Sequence, residues 1–191
     1  MDSQQKPIIL VFAGPNGSGK TTVKRSINTF GAYINADDLK MEYNLTDLEA
    51  AQQAELLREK LVSDKANFSF ETVLSTDRNL LLLEKAKAQG YEIQCIYVLT
   101  SNEDINVARV RARYASGGHN VSEDKIRSRY HKALALIPKL ILICDKILIY
   151  DNSIKPILIY SKDGANISIF PNELWSKEDV LKLVIERENS K

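Results

Sequence analysis

Residues 14–21 read Gly14-Pro15-Asn16-Gly17-Ser18-Gly19-Lys20-Thr21, a full match to G-x-x-x-x-G-K-[ST]. Each residue type has a reason to be there. Glycines let the backbone wrap closely around a phosphate chain, and successive N–H groups then point inward at it. The lysine neutralises the β- and γ-phosphates, and the Thr21 hydroxyl completes a Mg²⁺ shell. Thr22 follows in the same turn. A chance glycine-rich turn is the alternative, but a β-prone apolar run (8–13) precedes the motif and a helical pattern follows it, as phosphate binding requires. The expected ligand is a nucleoside triphosphate with Mg²⁺, and ATP is the expected nucleotide.

Further residues fit phosphoryl transfer less specifically. Asp37 and Asp38 follow a short apolar segment at 32–35. In an open α/β sheet ligands sit outside the carboxyl ends of the strands, so two carboxylates there could face the γ-phosphate. Asp37 is assigned the base that accepts a hydroxyl proton. Asp38 could instead cap a short helix, and both also fit a simple turn. Glu71 ends a β-like stretch, Phe68-Ser69-Phe70-Glu71, where it could hold Mg²⁺ or bind substrate, or be a solvated strand end. Arg109, Arg111 and Arg113 share one helical stretch, and Arg109 and Arg113 are spaced to share a face. Arg127 and Arg129 begin the next stretch, across Gly117-Gly118-His119. Two helices with a flexible tip suit a lid over about 109–130 that brings positive charge to the transferring group; a solvated basic face is the plain alternative. His119 binds substrate through its imidazole or is a solvated loop residue. His131 reads as a surface residue, and the tyrosines as core or rim residues unless one stacks on a base.

The elements around these residues set the fold. Runs at 8–13, 32–35, 68–71, 93–99 and 146–151 read as strands. They alternate with helical patterns at about 20–30, 47–65, 79–89, 101–116 and from 122, the last interrupted by Pro138. Thr46-x-x-Glu49 and Ser176-x-x-Asp179 look like capping boxes. The alternation predicts an α/β fold: a three-layer P-loop NTPase with a mostly parallel five-stranded sheet, a helical lid, and a C-terminal β-hairpin plus helix at about 155–188. The length, 191 residues, suits a single domain over 1–191.

Composition narrows the function classes. With 26 basic and 25 acidic residues the net charge is +1, which argues against a dedicated non-specific nucleic-acid binder. The two cysteines, Cys95 and Cys144, lack C-x-x-C spacing and read as buried free thiols of a cytoplasmic protein. Residues 1–6 offer no apolar stretch for a signal peptide. The longest apolar region, 134–150, is broken by Pro138, Lys139, Asp145 and Lys146, so no membrane span is expected.

Taken together, Phe12 to Thr22, Ile34-Asn35-Ala36-Asp37-Asp38-Leu39, Phe70-Glu71-Thr72, Arg113 with Gly117-Gly118-His119-Asn120-Val121, Ile126 to Tyr130, and Tyr150-Asp151-Asn152-Ser153 resemble the zeta toxin-like P-loop kinases over about residues 7–153. The resemblance implies a core like that of nucleotide and shikimate kinases. It implies Asp37 as the base acting on a sugar hydroxyl of UDP-N-acetylglucosamine, Glu71 in the substrate site, and Arg113 stabilising the phosphoryl group. The toxins' second lid arginine has no clear counterpart, though His119 falls near its place; the residues after Glu71 differ; and a hairpin and one helix replace the toxins' long C-terminal region. The expected function is a Mg²⁺·ATP-dependent kinase acting on a hydroxyl of a small molecule, such as a UDP-amino sugar. Lys20, Thr21 and the loop would hold the triphosphate. Arg113, helped by Arg109 or Arg129, would stabilise the transferring group. An antitoxin-like protein is a candidate partner. The alternatives are an ATP-binding switch or regulatory ATPase acting through a protein partner, and a polynucleotide 5′-hydroxyl kinase, which the near-neutral charge disfavours.

Overall fold

The computed structural model describes residues 6–117 and 121–185. Its centre is β1 (Ile8–Ala13), whose unbroken apolar sequence IILVFA suits a strand covered on both faces. β1 lies between β3 (Phe68–Thr72) and β4 (Glu92–Leu99), both parallel to it. β2 (Ala32–Ile34) pairs with β3, and β5 (Lys146–Asp151) with β4, also parallel.

The sheet does not stop at five strands. β6 (Ile157–Asp163) pairs antiparallel with β5, and β7 (Asn166–Ile169) pairs antiparallel with β6, giving one mixed sheet of seven in the order β2-β3-β1-β4-β5-β6-β7. The hairpin forms as its sequence predicts, and it extends the sheet beyond the five strands expected. The reason is burial: Ile159 and Tyr160 lie in the same apolar cluster as Ile147 and Ile149 of β5, and Ile159 is fully buried. Left unpaired, β5 would also present an open row of backbone donors and acceptors.

The pleat divides the core in two. Ile9, Val11 and Ala13 face a large cluster that includes residues of α3 (Asp47–Ser63), α4 (Arg78–Ala88), α7 (Ile137–Ile143) and α8 (Lys177–Val184). Leu10 and Phe12 face a smaller cluster containing Val23 of α1 (Lys20–Lys24). A third cluster joins α5 (Glu103–Ala115) to α6 (Glu123–Ala135) through Val107, Val110 and Ile126.

Two local expectations are corrected. The helix expected over 20–30 is only the five residues of α1. Ser26, Asn28 and Thr29 are weak helix formers, and the Ser69 hydroxyl offers the chain another partner: it accepts from the Phe30 N–H at 2.8 Å and donates to its carbonyl at 2.9 Å. The aspartates at 37 and 38 are not caps. They lie in the first turn of α2 (Ala36–Tyr43), whose N-cap is Asn35, with its side-chain oxygen accepting from the Asp37 N–H. Both expected capping boxes form, at Thr46–Glu49 and Ser176–Asp179. Cys95 and Cys144 are free and buried. No helix among the described residues is long and apolar enough to cross a membrane.

If β6 is part of the core, Ile159→Ala should destabilise the whole protein by about 3 kcal/mol, as cavity-forming substitutions of buried isoleucine do. A urea midpoint indistinguishable from wild type would mean that the hairpin packs only peripherally.

Candidate active site

The loop after β1 is fixed by distant partners. Gly14 has φ +140° and passes so close to β4 that a Cβ would lie 2.0 Å from the Val98 carbonyl oxygen. Gly19 has φ +90°, and its Cβ would meet Asn152 Nδ2 at 2.1 Å. That amide donates to the Ser18 carbonyl at 2.8 Å, while the Asn152 N–H donates to the Leu99 carbonyl at 2.8 Å. On the other side, Asn106 of α5 donates from Nδ2 to the Asn16 carbonyl at 2.6 Å and accepts from the Thr100 hydroxyl. Two buried oxygens of the loop, Asn16 Oδ1 and Ser18 Oγ, lack a hydrogen-bond partner among the described residues. This is a cradle drawn tight from outside, with polar groups left over.

Lys20 is buried under that loop. Its Nζ donates to the Gly14 carbonyl at 2.8 Å and the Pro15 carbonyl at 3.3 Å, and lies 3.7 Å from Glu71 Oε1. Burial lowers the ammonium pKa; the carboxylates of Glu71 and Asp37 oppose that shift and Arg113 reinforces it. Four expected site residues are therefore within electrostatic reach of one another. The Tyr33 hydroxyl donates to Glu71 Oε2 at 2.9 Å, and Lys24 Nζ sits 3.2 Å from the centre of the Tyr33 ring. Burial beside that carboxylate pushes the Tyr33 phenol well above its ordinary pKa, so it remains a donor. Burial also holds the Asp38 carboxyl above its usual value, opposed by Lys24 and reinforced by Glu71 and Asp37.

Two cavities meet here. The smaller, about 230 Å³, is bounded by Gly17, Gly19, Lys20, Thr21, Glu71, Arg109 and Arg113. The larger, about 550 Å³, reaches from Asn16 and Lys20 past Asp37 to α3 and the turn after β3, with Arg129 of α6 on its wall. Gly17, Lys20, Glu71 and Arg113 border both.

The expected residues thus sort by position. Thr21 and Arg109 are on the small side, Asp37 and Arg129 on the large side, and Lys20, Glu71 and Arg113 at the junction. Arg109 is also tied to the Ser153 carbonyl at 2.9 Å. Thr22 is exposed and borders neither cavity. Arg127 is not at the site: it pairs with Glu103, Asp104 and Glu123 and holds α5 to α6. His119 lies outside the described residues.

Comparison with known proteins follows the same lines. A family model described as Zeta toxin matches residues 1–164. The chain belongs to the zeta toxin family. It is accordingly a P-loop kinase, an ATP-dependent phosphotransferase. An uncharacterized protein of Haemophilus influenzae is 32% identical over 128 residues, 63% of this chain and 91% of that protein. Among solved structures, a chain from the PezAT chromosomal toxin–antitoxin system of Streptococcus pneumoniae is 21% identical, with 96% of this chain and 80% of that chain covered and a TM-score of 0.57. The AvrRxo1-ORF1:AvrRxo1-ORF2 complex with ATP is 12% identical, with 100% and 67% covered and a TM-score of 0.64. At these identities the likeness is one of fold.

Three features of this zeta toxin-family site were not expected. The sequence alone assigns no role to Asn106 or Arg58, and it carries Asn152 only within a segment that resembles the family. Arg58 had a visible signal: the buried face of α3 repeats at Ala50, Ala54, Arg58 and Val62, and one of the four is charged. Asn106 had none, because its partner lies 90 residues away.

Replacing Asn152 by alanine leaves the Ser18 carbonyl without its anchor. ATP affinity should fall about tenfold, equivalent to ~1.4 kcal/mol, the scale of one lost hydrogen bond. Titration calorimetry checks this, and unchanged affinity would release Asn152 from any role in shaping the loop.

Proposed function

We propose that the chain, as one kinase domain over residues 1–191, transfers the γ-phosphoryl group of ATP to a hydroxyl of a small molecule. A UDP-amino sugar such as UDP-N-acetylglucosamine is the leading candidate. The observation that carries this reading is the junction of two cavities at Lys20, Glu71 and Arg113. A kinase needs a phosphate site and an acceptor site that meet where the group changes hands. A switch or regulatory ATPase needs only the first.

The roles follow from position. Residues Gly14 to Thr21 hold the triphosphate, with Lys20 countering its charge. Asp37, exposed on the acceptor side at the start of α2, accepts the hydroxyl proton. Glu71, fixed by Tyr33 and Lys20, orients the acceptor. Arg113 sits where negative charge builds during transfer, with Arg109 on the phosphate side and Arg129 on the acceptor side. Thr21 and Glu71 supply oxygen donors to the smaller cavity, which suits a Mg²⁺ bound mainly through phosphates. When bound, that ion neutralises charge on the β- and γ-oxygens. The likeness to the PezAT toxin–antitoxin system brings an antitoxin-like protein partner into the same proposal.

Asp37→Asn should bind ATP as wild type does while kcat falls by about 10² to 10⁴, the contribution of a positioned general base. Mass spectrometry of UDP-N-acetylglucosamine, free sugars, nucleosides and a 5′-hydroxyl oligonucleotide after incubation with Mg²⁺·ATP reads the product, with Lys20→Ala as the inactive control. ADP release without any phosphorylated acceptor would favour the regulatory ATPase. Arg113→Ala should lower kcat by about 10² to 10³ with little change in ATP affinity; a loss confined to KM would make Arg113 a binding residue only.

A further inference from the structure

Three members of the buried face of α3 are apolar, and the fourth is a guanidinium. Arg58 is only 7% exposed, with its Cζ 5.1 Å from the centre of the Phe70 ring. Its Nε is sealed from solvent and has no hydrogen-bond partner among the described residues. Among the described residues no carboxylate forms an ion pair with it; the neighbouring Glu55 pairs with Arg78, at 3.2 Å. Burial lowers its pKa; the carboxylates of Glu55 and Glu59 oppose that shift and Arg78 reinforces it.

A buried cation without an anion destabilises a fold, and an apolar residue of similar volume would fill the stripe better. Stability therefore does not account for this arginine. Its other surroundings do: it borders the 550 Å³ cavity that also holds Asp37 and Glu71. A guanidinium laid against an aromatic face keeps its planar fork of donors oriented, and that fork matches phosphate and carboxylate oxygens.

We propose that Arg58 anchors an anionic group of the phosphoryl acceptor, a phosphate or a carboxylate, in the larger cavity. The anchor rests on reading that cavity as the acceptor site. Phe70 and Glu71 are consecutive on β3 and face opposite layers, so the anchored group and the reacting hydroxyl would lie to either side of the strand end. Selectivity follows: a neutral sugar with the same hydroxyl would bind without the anchor and be the poorer substrate.

The test uses the full chain with its P-loop filled by a non-hydrolysable ATP analogue. Inorganic pyrophosphate and malonate are titrated separately by calorimetry, which distinguishes a phosphate site from a carboxylate site. Wild type should bind one of the two. Arg58→Met should weaken that binding at least tenfold while its Tm stays level or rises, because an unpaired buried charge has been removed. Arg58→Lys, which keeps the charge without the fork, should recover part of the binding; it also serves as the test if the methionine variant does not fold. Unchanged anion binding in the variants, or no binding of either anion to wild type, overturns the anchor. Phosphoryl transfer to UDP-N-acetylglucosamine and to N-acetylglucosamine is measured alongside. If wild type binds the anion but phosphorylates neither sugar, the acceptor reading of the cavity fails for these sugars while the anion site stands.

Discussion

A lysine ammonium under the glycine-rich loop is the constraint around which this structure is organised. Lys20 is buried, and a buried ammonium needs its solvation replaced. The Gly14 and Pro15 carbonyls and the Glu71 carboxylate replace it. For those carbonyls to turn inward, the loop must take left-handed backbone at Gly14 and Gly19 and run against β4 and the end of β5. For Glu71 to reach the same point, β3 must lie beside β1 in parallel register, with Glu71 opposite Phe12. The strand order, the glycines and the two asparagine clamps all follow from one charge.

The sheet's far side has a different task. β6 and β7 supply no residue to either cavity. They cover β5, whose last residues carry Asn152 to the loop. The hairpin thus supports the site through one strand and one amide, a longer route than the P-loop's direct hold but a continuous one.

What was legible in the sequence was what is encoded locally. The P-loop, the capping boxes and the five parallel strands each announce themselves within a short window of residues. The extent of the sheet did not, since nothing in 157–169 says which edge the hairpin will join. Nor did the end of α1, which depends on a hydroxyl from Ser69. The clamps on the loop come from Asn106 and Asn152, 90 and 134 residues from their partners. Positions of the candidate residues were readable because they fall at strand ends. How those residues divide between two cavities was not, because the division depends on how α3 and α6 pack above the sheet.

The end of β3 carries one more consequence. Phe70 points to the layer of α3, and Glu71 to the layer of Lys20 and Tyr33. The division of labour at the site is therefore a matter of odd and even positions along a pleated strand. A one-residue slip of β3 against β1 would turn the Phe70 ring to the layer of the lysine and the Glu71 carboxylate to the layer of the arginine. The loop that leads into β3 can change length only where the parity of the strand is kept.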